Sequence, residues 1–68
     1  MMSSNLLIDK DSIYLDVLNL YDGDIWNVIF SITNEYGIEK LPTNLTAQEF
    51  INTLTNLRYE TAMQQGGN

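Results

Sequence analysis

A chain of 68 residues with no His, no Cys and only three basic residues against nine carboxylates excludes most catalytic and metal chemistry before any pattern is read. Imidazole acid–base catalysis, thiolate nucleophiles, Cys or His zinc sites and cationic phosphate cradles need residues that are missing or scarce here. A formal net charge of −6 repels nucleic acid and anionic membranes and attracts basic protein surfaces, so the composition predicts a protein partner and neither nucleic-acid nor membrane binding.

The length predicts a single small domain over residues 1–68, near the lower limit at which one hydrophobic core offsets the entropy of ordering the chain. Without Cys no disulfide staples it, so packing, or packing plus oligomerisation, must hold it together. A hydrophobic content of 44% and an aromatic content of 10% place it among folded domains rather than acidic tails. Residues 1–5 and 64–68 read as disordered ends. No basic n-region precedes Leu6-Leu7-Ile8, and that cluster is too short for a signal or a membrane span, which predicts a cytoplasmic protein. The same cluster reads as a short strand, followed by a turn at Asp9-Lys10-Asp11.

The clearest local signal comes next: Asp22-Gly23 stands between two apolar-rich runs and supplies the positive φ angles of a type I′ turn. A two-residue hairpin over residues 12–33 would pair Ile13 with Ile32, Leu15 with Phe30, Val17 with Val28 and Asn19 with Trp26 on an apolar face. Leu20 with Ile25, Leu18 with Asn27, Asp16 with Ile29 and Tyr14 with Ser31 would form a mixed second face. The alternative is helical, because Ile25, Val28, Ile29, Ile32 and Tyr36 also fall on one helical stripe that ends at Gly37. Residues 12–34 contain no Ala, Lys, Arg, Gln, Met or Glu and are rich in Ile, Val and aromatics, which favours strands.

Residues 38–41 read as a further short strand, and Pro42-Thr43-Asn44 as a connecting turn. Asn44-Leu45-Thr46 matches a glycosylation sequon but reads more simply as the approach to a helix. Thr46 at N-cap and Glu49 at N3 form a capping box ahead of an amphipathic helix over residues 47–63. Phe50, Ile51, Leu54 and Leu57, extended by Thr61 and Ala62, make its core stripe, with Gln48, Glu49, Asn52, Asn56 and Glu60 toward water. The fold class expected is therefore α+β: a small antiparallel sheet built on the 12–33 hairpin, with the 47–63 helix packed on one face. A three-helix bundle is the alternative.

Asp22-Gly23-Asp24 fails as a calcium loop, since placing Gly23 at the turn position puts Leu18, Leu20 and Ile29 where ligands belong. Catalysis by carboxylates would need a pocket to shift their pKa values, so no enzyme and no cofactor or metal is expected. Asp9, Asp11, Asp16, Asp22 and Asp24 could imitate part of a nucleic-acid backbone, but Asp is also ordinary turn chemistry, and these acids are sparser than a phosphate row.

The remaining candidate is the second sheet face, which one helix could not cover. Partner binding is assigned to Tyr14, Asp16, Leu18, Leu20, Asp22, Asp24, Ile25 and Ile29. Trp26 and Tyr59 are further anchor candidates, with Trp26 expected in the core. The functional expectation is a non-enzymatic acidic protein-binding protein. One setting is a regulator or phage-type inhibitor that occludes a basic, nucleic-acid-binding surface of a host defence enzyme; small acidic phage inhibitors resemble this chain in size and charge sign only. The second expectation is a structural or adaptor subunit acting as a homodimer through Tyr14, Leu18, Leu20, Ile25 and Ile29.

Overall fold

The computed structural model describes residues 9–66, and within them the chain is a three-helix bundle without a strand. Helix α1 runs Lys10–Tyr21, α2 runs Ile25–Glu35, a 3-10 turn covers Ile38–Lys40, and α3 runs Ala47–Gly66. The α+β expectation is thereby corrected, and the helical alternative is the architecture. The turn expected at residues 9–11 is the N-cap and first turn of α1, and the strand expected at 38–41 is the 3-10 turn. Residues 64–66, expected to be disordered, continue α3, while residues 1–8, which include the strand expected at 6–8, lie outside the described residues.

Helical periodicity outweighs strand propensity here because the two act on different scales. Poor helix formers such as Val and Ile cost at most about 0.7 kcal/mol each relative to Ala, whereas burying one contributes roughly 1.5–3 kcal/mol. In α2 the stripe Ile25, Val28, Ile29, Ile32 and Tyr36 faces inward, with Val28 and Ile32 fully buried and the other three packed against the core. Val17 of α1 and Phe50, Ile51 and Leu54 of α3 complete that core. The stripe expected for α3 holds in the main: Leu57 packs against the core, and Gln48, Asn52, Asn56 and Glu60 are exposed, while Glu49, expected toward water with them, is half-buried. Thr55 is buried as well, its hydroxyl donating to the Ile51 carbonyl at 2.7 Å.

The helix ends follow local chemistry. Asp9 Oδ1 accepts from the Asp11 amide and Asp24 Oδ1 from the Trp26 amide, each at 3.0 Å, so both aspartates are N-caps. Thr46 Oγ1 accepts from the Glu49 amide at 3.2 Å, one half of the expected capping box; the Thr46 amide donates to the Asn44 carbonyl instead. The Asp-Gly pair does take positive φ, 42° at Asp22 and 77° at Gly23. It joins two antiparallel helices, with the Asp22 amide closing on the Leu18 carbonyl and Asn27 Nδ2 donating to the Leu20 carbonyl across the turn. Gly37, at φ 107° and ψ 152°, ends α2 by donating to the carbonyls of Ile32 and Thr33.

α1 lies antiparallel to α3. Tyr14 meets Gln48 near the start of α3, while the Lys10 Nζ sits 5.4 Å from the centre of the Tyr59 ring farther along it. The C-terminal end of α2 is tied to α3 by Glu35 and Arg58, whose carboxylate and guanidinium meet at 2.9 and 3.3 Å, and by the Tyr36 and Thr61 hydroxyls 3.1 Å apart. Both Glu35 and Arg58 side chains are partly exposed, so the pair fixes alignment more than it adds stability.

Two stability measurements test this architecture. Leu54→Ala should cost about 2–5 kcal/mol in chemical denaturation, and Leu15→Ala no more than about 0.5 kcal/mol. A hairpin that buries Leu15 against Phe30 would make the second loss comparable to the first. Gly37→Ala should cost roughly 1–3 kcal/mol, because its φ and ψ lie where side chains are strained and a Cβ there would sit 2.7 Å from Glu39 Oε1. An unchanged midpoint would show that the turn relaxes freely.

Candidate functional site

A change from the strand period to the helical one redistributes the expected binding face. Tyr14, Leu18, Leu20, Ile25 and Ile29 do not form an open patch: all five are half-buried and packed against the core. Tyr14 additionally accepts a hydrogen bond from Gln48 Nε2 at 3.3 Å, which ties α1 to α3. Of the expected site only Asp16, Asp22 and Asp24 are exposed, and Asp24 is occupied at one oxygen as the α2 cap. The acids do not assemble into a row either, since Asp9 and Asp24 cap two different helices and Asp22 forms the turn between them.

The residues that replace that patch are ones expected inside. Trp26 is 59% exposed and Phe30 58% exposed, one turn apart on the outer side of α2. Their ring centroids lie 6.1 Å apart with planes tilted by 36°, a separation at which aromatic pairs attract. Asn27 and Asn34, both exposed, flank this ridge on the same helix. The sequence carried a signal for it: on the helical wheel that places Val28 and Ile32 inward, Trp26 and Phe30 point the other way. Leu15, the cross-strand partner of Phe30 in the hairpin reading, is likewise exposed on α1.

Two large aromatics held side by side on a rigid helix, with short polar neighbours, make a surface suited to burial against another macromolecule. Asp22 and Asp24 stand at its N-terminal end, and Asp24 is fixed by its bond to the amide of Trp26 itself. Tyr59, the other expected anchor, is half-buried and lies under the Lys10 ammonium group.

An open groove of about 340 Å³ lies between α1 and α3, lined by Lys10, Asp11, Tyr14, Asn52, Thr55 and Asn56. Its Thr55 hydroxyl is already engaged by the Ile51 carbonyl, and Lys10 by the Tyr59 ring. It presents one carboxylate without a second acid to work against it, which is not an acid–base pair. Among the described residues no group of three or more potential ligands is placed to hold a metal ion, and no helix is long and apolar enough to cross a membrane.

The fold and surface together define a class, a small acidic three-helix bundle presenting an aromatic helix face. Comparison with protein-family models, with curated proteins and with solved structures finds no match for this chain.

If the outer face of α2 is a surface and not core, Trp26→Ser and Phe30→Ser should each leave stability within about 0.5 kcal/mol of the parent. Buried aromatics would cost about 3–5 kcal/mol on truncation, a difference that thermal or denaturant unfolding followed by circular dichroism resolves at once.

Proposed function

We propose that this chain is a non-enzymatic protein-binding protein whose docking surface is the outer face of α2, centred on Trp26 and Phe30. The observation that carries the reading is the exposure of these two rings, side by side, on a helix whose opposite side supplies the bundle core. An adjacent aromatic pair on a helix is the anchor geometry of helix-mediated recognition, and tryptophan is among the residues that most often dominate interface energetics. The mode of action is occlusion: a rigid face covers a partner's surface and blocks what else would bind there. A regulator or inhibitor works in this way without any catalytic group.

A heterologous partner is favoured over a second copy. A net charge of −6 on each chain opposes close approach of two identical faces, whereas it speeds encounter with a basic surface. The half-burial of Tyr14, Leu18, Leu20, Ile25 and Ile29 against the core weighs further against a homodimer through those residues.

The test compares capture by the parent, by Trp26→Ser and by Leu15→Ser, followed by purification of whatever is retained and measurement of its binding. Trp26→Ser should weaken that binding roughly thirtyfold or more, the effect of losing about 2 kcal/mol at an aromatic anchor, while Leu15→Ser leaves it intact. Equal binding by all three proteins would remove the α2 face from the function, and a concentration-dependent dimer in sedimentation that Trp26→Ser abolishes would reassign it to self-association.

A further inference from the structure

The charge around the aromatic ridge specifies what the ridge accepts. We infer that the outer face of α2 takes a cationic amphipathic segment of a partner protein, with apolar side chains on Trp26 and Phe30 and arginine or lysine side chains against Asp22 and Asp24. This rests on the protein-binding reading above and adds the chemistry of the partner.

From Asp11 to Glu35 the chain carries five carboxylates and no Lys, Arg or His. Among the described residues, Glu35 is the one of these five in an ion pair, with Arg58. Asp22 and Asp24 are exposed and lie at the end of α2 where Trp26 sits. The Asp24 carboxylate is held by the backbone amide of Trp26, which keeps a charge at the end of the helix that carries the indole. A guanidinium group suits both at once, stacking on the electron-rich face of the indole while donating to a carboxylate. Asp24 also offsets the positive partial charge of the helix N-terminus, which would otherwise repel a cation approaching this end. A second copy of the chain offers no such cation from its own α1–α2 pair beyond Lys10, which lies over Tyr59 at the far end of the bundle.

Trp26 is the chain's single tryptophan, so its emission reads this site directly. Three synthetic helical peptides of equal length and identical apolar stripe serve as probes, their polar faces built from arginine and lysine, from glutamine, or from glutamate. The cationic peptide should shift Trp26 emission and bind roughly tenfold or more tighter than the glutamine peptide at low salt, with the advantage shrinking as salt screens the charges. The double variant Asp22→Asn, Asp24→Asn should remove about that tenfold advantage, because asparagine keeps both the N-cap and the left-handed turn while discarding the charge. Equal affinity for the cationic and glutamine peptides, or indifference to the double variant, would overturn the inference. The protein-binding reading would survive that result if the glutamine peptide still docks and Phe30→Ser, which keeps the indole probe, weakens it. Silence from all three peptides also overturns the inference, and the capture comparison then decides the protein-binding reading separately.

Discussion

The bundle depends on one constraint: among the described residues three helices share a core of six buried apolar side chains, to which α1 contributes Val17, α2 contributes Val28 and Ile32, and α3 contributes Phe50, Ile51 and Leu54. No disulfide, metal or second domain supplements it among the described residues. A helix of 11 or 12 residues is marginal in water by itself, so α1 and α2 exist because their apolar stripes meet α3. The local devices then set where each helix begins and stops. Two aspartate caps, one threonine cap and two positive-φ turns are placed so that the α2 stripe loses only Tyr36, its C-cap, to a turn.

Much of this was legible in the sequence, and the error has a single source. Val17 lies four residues from Ile13, and Ile32 four from Val28; a spacing of four returns to the same side in both a strand and a helix. Those residues are therefore assigned inward under either period. Residues two apart part company: Trp26 and Phe30 join Val28 and Ile32 on one face of a strand but oppose them on a helix. Choosing the strand period moved Tyr14, Leu18, Ile25 and Ile29 to the surface and hid Trp26, which inverted the candidate site while leaving the centre of the core correct. The decision between periods rested on propensity, the weaker of the two forces once a stripe can be buried.

Asp22-Gly23 shows the same limit at a turn. The dipeptide specifies backbone conformation, and the positive φ values expected for it are present. It does not specify what it joins, because a left-handed residue that begins a type I′ hairpin also ends a helix. The C-terminal helix escaped this ambiguity since its Thr46 cap, its polar exposed residues and its periodic stripe all agree.

The exposed aromatic face follows from that economy. With six buried apolar side chains among the described residues, burying the single tryptophan would enlarge the core, and α2 could do so by rotating about its axis. It cannot rotate without exposing Val28 and Ile32, which are fully buried between the other helices. The bond from Asn27 to the Leu20 carbonyl of α1 and the pairing of Glu35 with Arg58 of α3 hold that rotation from both ends. Trp26 and Phe30 are thus held outward by the packing of their own helix, so the free protein already presents the rings in the form that the proposed docking requires. Little ordering entropy is left to lose at the moment of binding. The carboxylate that caps α2 stands at the same end of the helix as Trp26, so a single residue both starts the helix and places a charge at that end. Replacing Asp24 with a neutral capping residue separates those two roles, which a substitution that breaks the cap cannot do.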